Sequence, residues 1–343
     1  MMKSMETYTG DRTSTAEMSE TDYAVFDALA DDPRRPWSDV AQLTGLSAVT
    51  ARRKWQRMVE RGAAWVTTHP GFGSGAVYAH VEVQCAPGAT ESVAARLGAH
   101  PRILSVTEVT GDYNLFLVVA AEDIGELRRI LQLTIGGSEL VRGVRSSVIN
   151  RVYSDGSTWR AGALPGSRSV SAPPAPVRPG IADPRARTVL GVLEPDGRAP
   201  TTAVAEALGT SEAHARRFVK ETVRTGTLVQ RIDLSLEHSD WPHGLALHMV
   251  APAHSLDASA ARIRSMPGTR LCTAISGGPY NLYVVVWLHT LEEAVEVEKQ
   301  LVSELDVTVA NRSILLHYHK RMGHLFDADR RRIGHVSWLG EEG

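Results

Sequence analysis

The sequence predicts an α+β chain in which two winged helix-turn-helix domains alternate with two ferredoxin-like β-α-β-β-α-β sandwich domains. Three observations carry this. The stretch Val106–Ala120, VTEVTGDYNLFLVVA, reads as a strand, a tight turn at Gly111-Asp112 and a second strand that is apolar without interruption, and it returns at Thr273–Leu288 as TAISGGPYNLYVVVWL. Tyr113-Asn114-Leu115 becomes Tyr280-Asn281-Leu282, 167 residues later. Upstream of each copy, Val40-Ala41-Gln42-Leu43-Thr44-Gly45-Leu46-Ser47 is mirrored by Val204-Ala205-Glu206-Ala207-Leu208-Gly209-Thr210-Ser211, 164 residues later. Between the two signatures of each copy the apolar period switches from that of a helix to strand alternation.

The bulk numbers bound the reading. A chain of 343 residues holds more than one compact core. Hydrophobic residues are 43% and charged ones 22%, as in a soluble globular protein. The net charge of -2 means that a nucleic-acid partner must be met by local basic patches. Cys85 and Cys272 lie in apolar runs without CxxC spacing, which predicts reduced, buried thiols and a cytoplasmic protein. No apolar run approaches the ~20 residues that span a bilayer, so no membrane partner is expected. Residues 1–21 lack the apolar core of a signal peptide and read as a disordered leader.

In chain order, residues 22–68 read as three helices and a strand. Tyr23, Phe26 and Leu29 give Asp22–Ala30 an apolar face. Ser38 is the expected N-cap of a short helix, Asp39–Leu43. Gly45 suits a left-handed turn, and Ser47 caps a third helix, Ala48–Arg61, whose Ala51, Trp55, Met58 and Val59 form a core stripe. Ala64–Thr68 is expected to be the wing. Residues 75–153 then read as strand, helix, two strands, helix and strand, the ferredoxin-like order. The Pro-rich stretch 154–182 is a linker. A second helix-turn-helix, 183–232, and a second sheet domain, 243–321, repeat the pattern; the tail 322–343 has no assignment.

Leu46-Ser47, followed by Arg53-Lys54 and Gly62 and joined to a β-α-β-β-α-β unit carrying Gly111-Asp112-Tyr113-Asn114-Leu115, resembles the Lrp/AsnC (feast/famine) transcriptional regulators. The resemblance covers nearly the whole chain outside leader, linker and tail. It implies a DNA-binding first domain, and a second domain that dimerises and binds an amino acid or similar effector near the turn. The chain departs from the family pattern in carrying two units, so an intrachain pair can replace the usual homodimer.

For double-stranded DNA, a recognition helix needs cations for phosphates and short or forked polar groups for base edges. Ser47, Thr50, Arg52, Arg53, Lys54 and Arg57 supply them in the first copy. Arg216, Arg217 and Lys220 do so in the second, where Glu221 replaces Arg57 and weakens phosphate attraction. A charge run on an isolated helix is more often a solvated face; here its place after the Gly-Leu-Ser turn and the resemblance favour DNA.

The turns have two readings. Glycine dipeptides between strands are ordinary hairpin turns. Alternatively, Gly111, Asp112, Tyr113 and Asn114, with Gly277, Gly278, Tyr280 and Asn281, form effector sites, whose preferences differ because Pro279 replaces Asp112. The strands Leu115–Val119 and Leu282–Trp287 are apolar on both alternations, so both faces must be covered. One face takes the unit's own helices. The other takes a second sheet, from the other repeat or from another chain in a homo-oligomer.

An enzyme is the competing reading. Siroheme decarboxylases resemble the same regulators in fold, and His248, His317 and His319 lie on strands of one unit. No carboxylate or cysteine is spaced with them as in a metal motif, and no Ser-His-Asp order or P-loop occurs. The sequence therefore predicts a regulator, not an enzyme, with no cofactor and no metal. A third reading is an amino-acid sensor that acts without DNA.

Overall fold

The computed structural model describes residues 18–164, 180–330 and 332–340. The first helical domain comprises α1 (Glu20–Ala30), α2 (Trp37–Thr44) and α3 (Ala48–Glu60). The residues expected to be leader thus end inside α1, where Ser19 and Asp22 form a reciprocal capping box; residues 1–17 lie outside the described part. Ser38 does not cap α2. The carbonyl of Pro36 takes the N–H groups of Asp39 and Val40, starting the helix earlier, and Ser38 Oγ donates to Asp39 instead. Gly45 has φ +69°, and Ser47 Oγ accepts the N–H of Thr50 at 3.0 Å, so the turn before α3 is as expected.

The next strand, β1 (Ala64–Pro70), is not a wing. It pairs antiparallel with β6 (Leu228–Leu234), Ala64 opposite Leu234 and Pro70 opposite Leu228, and all seven of its residues are buried. A wing hairpin would leave one face in solvent. This ribbon instead ties the two halves together.

The first sheet domain follows: β2 (Val77–Cys85), α4 (Thr90–Gly98), β3 (Ile103–Val109), β4 (Leu115–Ala121), α5 (Ile124–Arg129, extended by a π-helical turn to Ile135) and β5 (Val141–Ser154). The second helical domain holds α6 (Pro184–Leu193), α7 (Thr201–Leu208) and α8 (Glu212–Arg224) before β6. The second sheet domain holds β7 (His243–Val250), α9 (Leu256–Ser265), β8 (Thr269–Ser276), β9 (Leu282–Leu288), α10 (Glu293–Glu304) and β10 (Thr308–Arg321). In space the strands run β3-β4-β2-β5 and β8-β9-β7-β10, the ferredoxin-like order in each case.

The two sheets form one closed ring of eight antiparallel strands. The first half of β5 pairs with β2 and its second half, from Val148, with β8. Likewise β10 pairs first with β7 and then, from Leu315, with β3. Closure leaves no open edge among these eight strands. It also resolves the doubly apolar strands. Leu115, Leu117 and Val119 face the helices of their own unit, while Phe116 points between the sheets. On β9, Leu282, Val284 and Val286 face the helices, and Tyr283, Val285 and Trp287 point inward.

The helical domains cross over. α1–α3 pack on Ala246, Ile275 and Trp287 of the second sheet, and α6–α8 on Tyr78, Leu104 and Ala120 of the first. The domains also touch each other. Arg34 donates to the carbonyls of Gly197 and Ala199 at 2.9 and 2.7 Å, and Arg198 lies 4.4 Å from the Trp37 ring centroid.

The linker and tail are more ordered than the sequence suggested. Within the expected linker, the N–H groups of Ala161, Ala163 and Leu164 bond to the buried carboxylate of Asp27, and Trp159 is buried; residues 165–179 lie outside the described part. The tail adds β11 (His324–Phe326) and β12 (Arg332–His335) beside β10. It then inserts Trp338, fully buried, whose Nε1 donates to Ala120 at 2.7 Å and whose backbone N–H bonds to Glu194 at 2.8 Å.

Candidate functional site

The outer face of α3 carries Arg52, Arg53 and Arg57, all exposed and none in an ion pair among the described residues. Ser47 and Thr50 sit at the helix start, and their hydroxyls are hydrogen-bonded to each other at 2.8 Å. Lys54 behaves differently from its expected role. Its ammonium is 2.9 Å from Asp22 and within 3.3 Å of Ser19 Oγ, so it fastens α3 to the cap of α1. On α8, Arg216, Arg217 and Lys220 are exposed. Glu221 forms a two-pronged pair with Arg224, at 2.9 and 2.6 Å, which neutralises one further cation of that face.

The two turns adopt backbone that favours glycine, with φ +115° at Gly111, +133° at Gly277 and +76° at Gly278. A Cβ on Gly277 would lie 2.5 Å from the Ser146 carbonyl oxygen, because the turn rests on β5. Asp112 is exposed. The two asparagines are committed locally. Asn114 accepts from the Cys85 N–H and donates to Thr90 Oγ1, both at 2.9 Å. Asn281 accepts from and donates to the backbone of Ala251. Each pins its turn to the chain between the first strand and the first helix of its unit, and that accounts for Asn at both positions.

The tyrosines of the two turns converge. The Arg145 guanidinium on β5 lies 4.5 Å from the Tyr113 ring centroid and 5.5 Å from that of Tyr280. It also pairs with Glu82 at 3.2 Å. His248 lies 3.7 Å from the same carboxylate and 4.9 Å from the Tyr280 ring. Arg145 carries no motif of its own, because each of its partners is more than 30 residues away in sequence. His317 and His319 face one another at 4.6 Å, with Glu108 3.5 Å from His319. Among the described residues no cluster of three His, Cys, Asp or Glu is placed to hold a metal.

A cavity of about 130 Å³ lies between the sheets, beside the β1–β6 ribbon. Its walls include Phe72 against Tyr78, with ring centroids 4.3 Å apart, and Phe116 stacked on Tyr283 at 4.7 Å. At one side three buried guanidiniums surround one carboxylate. Asp233 accepts from Arg231 at 3.0 Å, from Arg270 and Arg321 at 2.9 Å each, and from Thr67 at 2.7 Å. Burial opposes the Asp233 charge, but Arg231, Arg321 and Arg270 outweigh it and hold the carboxyl far below its ordinary value. Burial, with Arg321 alongside, lowers Arg270 to about 9. Burial lowers His69 to about 4 and His80 to about 3, so both line the cavity as neutral rings. None of these residues stands in a sequence motif. The one available signal was the alternation of charge with apolar residues in Arg231-Ile232-Asp233, which a strand at a half-open ribbon would also show.

Residues 18–59 match the family model of the AsnC-type helix-turn-helix domain, and residues 78–159 that of the Lrp/AsnC ligand binding domain. The chain is 24% identical over 141 residues to the HTH-type transcriptional regulator FL11 of Pyrococcus furiosus, covering 40% of this chain and 93% of that one. It is 28% identical over 138 residues to the Bkd operon transcriptional regulator of Pseudomonas aeruginosa, covering 38% of this chain and 90% of that one. Among solved structures, the siroheme decarboxylase NirDL aligns over 93% of this chain and 95% of its own, with a TM-score of 0.59 and 18% identity, a likeness of fold alone. No helix of the described residues is long and apolar enough to cross a membrane.

Proposed function

We propose that this chain, whose first helical and sheet domains are of the Lrp/AsnC type, is a DNA-binding transcription regulator that carries both reading heads and its dimer-like core in one polypeptide. The observation that carries this is the trio Arg52, Arg53 and Arg57 on α3, exposed and without an ion pair among the described residues, behind a capped Gly-Leu-Ser turn. Phosphate contact needs cations that the fold has not already neutralised. The crossed helical domains are held to each other through Arg34 and Arg198, so α3 and α8 meet DNA as a fixed pair. The first helix supplies most of the affinity; the second is weakened by Glu221 and reads a different half-site.

The effector is a small molecule of the amino-acid class that acts where Tyr113 and Tyr280 share Arg145. Asp112 offers a carboxylate for an ammonium group on the first turn only. Selection of genomic fragments with the purified protein, with and without an amino-acid pool, tests both parts. Recovery of a defined sequence whose occupancy changes with the pool supports the reading. Recovery of none leaves a sensor acting through protein contacts.

A tetrapyrrole-binding enzyme is the second reading, supported by the arginine- and histidine-lined cavity between the sheets and by the full-length likeness of fold to NirDL. A visible absorption band in the purified protein, or tight binding of siroheme with loss of carboxylates from it as CO₂, would favour it over the regulator.

A further inference from the structure

The cavity between the sheets contains polar atoms that have no hydrogen-bond partner among the described residues. Arg270 is 5% exposed, and its Nη2 reaches Asp233, but its Nη1 has no hydrogen-bond partner. His69 is 3% exposed; its Nδ1 lies 2.6 Å from the carbonyl oxygen of Pro70, and its Nε2 has no partner. A carbonyl oxygen can only accept, so Nδ1 carries the proton and Nε2 is a bare acceptor. Both residues line the same cavity. An unpaired buried donor or acceptor is costly, so one of each lining the same cavity points to a polar ligand there.

The charge agrees. Arg231, Arg270 and Arg321 face the single carboxylate of Asp233, and Asp155, the other acid of the cavity, already accepts from Ser157. One further anion completes the balance. Chain packing preserves the arrangement at Gly156, where a Cβ would sit 2.8 Å from Arg231 Nη1 and 3.0 Å from Arg270 Nη2. Most of the rest of the wall is apolar and aromatic, from residues such as Phe72, Tyr78, Phe116, Leu271 and Tyr318, with Ser105, Thr107 and Thr273 among them.

Size then selects among anions. A cavity of about 130 Å³ suits a one- or two-ring aromatic acid.

We infer that this cavity binds a small aromatic carboxylic acid bearing a ring N–H or O–H, its carboxylate on Arg270 Nη1 and its ring donor on His69 Nε2. The site is separate from the turns where Tyr113 and Tyr280 meet Arg145, and it does not depend on the DNA-binding reading. The two acids of the cavity, Asp155 and Asp233, are outnumbered by its three guanidiniums, so an acid without an amine fits it better than an amino acid does.

Calorimetry on the full chain, without DNA, tests this with indole-3-acetate as the probe. One molecule is expected to bind per chain. Tryptamine, which lacks the acid, is expected to bind at least about a hundredfold more weakly, and naphthalene-1-acetate, which lacks the N–H, about tenfold more weakly. Arg270→Gln is expected to weaken indole-3-acetate by about tenfold or more. Ile149→Trp, which fills the cavity from β5, is expected to abolish binding while the circular dichroism spectrum stays that of the parent. No heat with indole-3-acetate overturns the assignment, as does undiminished binding to a folded Ile149→Trp protein. Equal affinity for tryptamine or for inorganic phosphate, or tighter binding of iron uroporphyrin, overturns the ligand class.

Discussion

Arg145 lies over the rings of both Tyr113 and Tyr280, so a single cation from β5 joins the corresponding turns of the two units. Its other contact, Glu82, is 8% exposed and keeps only His248 nearby when Arg145 is removed. Arg145→Ala is therefore expected to lower stability by about 2–4 kcal/mol, combining a partly desolvated cation–π pair with a stranded carboxylate. Asp112→Asn, at an exposed position, is expected to change it by less than about 0.5 kcal/mol. Urea denaturation followed by circular dichroism measures both, and equal effects would refute the coupling of the turns through Arg145.

Among the described residues, Asp233 is the one carboxylate bonded to three buried guanidiniums. Replacing it by Ala leaves Arg231, Arg270 and Arg321 facing each other with only the charge of Asp155 nearby. The expected cost is about 3–5 kcal/mol, measured by the same denaturation. Asp233→Asn keeps the shape but not the charge and is expected to be nearly as costly.

Trp338 holds the tail against Ala120 and Glu194, with Arg102 4.3 Å from its ring centroid. It therefore bridges the first sheet and the second helical domain. Trp338→Ala is expected to destabilise the chain by about 3–5 kcal/mol. Hydrogen exchange is expected to speed up in α6–α8 and to change little in α1–α3. Uniform acceleration would show that the tail is no latch for one domain.

Burial raises Glu194 to about 7 and lowers Lys320 from 10.5 to about 7. For Glu194 the folded state holds the proton more tightly than the unfolded one between pH 4.5 and 7. Its contribution to stability therefore falls as pH rises through that window. For Lys320 the unfolded state holds the proton more tightly between pH 7 and 10.5, so its contribution rises with pH there. Below pH 6.5 the buried histidines His69, His80, His248, His317, His324 and His335, all lowered to about 3–4, oppose Glu194 and make stability rise with pH, so the rise above pH 7 is the part that isolates Lys320. In Lys320→Met the alkaline rise is expected to vanish, which denaturation midpoints at pH 7 and 9.5 would report.

The sequence made the frame legible and left the contents of the core hidden. Gly45, Ser47 and the stripe Ala51, Trp55, Met58 mark a helix-turn-helix through local rules, and local rules need no partner. The doubly apolar runs at Leu115 and Leu282 required a second sheet, because water cannot cover an apolar face. The same logic misread β1. Its short run fits a wing as well as a ribbon, and only pairing with β6, over 150 residues away, distinguishes them. Lys54 looked like a phosphate contact because its charge is visible in sequence and its neighbour Asp22 is not. Arg145, Arg270 and Trp338 escaped notice for the same reason, since each takes its meaning from residues distant in the chain.

If α3 is the main DNA contact, the salt dependence of binding shows it most directly. DNA affinity would be measured from low to moderate salt for the parent chain, for Arg53→Ala with Arg57→Ala, and for Arg216→Ala with Arg217→Ala. The α3 pair is expected to lose affinity steeply, with the log–log salt slope flattened by about two. The α8 pair is expected to change the slope by less. Equal losses from the two pairs, or an unchanged slope in the α3 variant, would contradict the account.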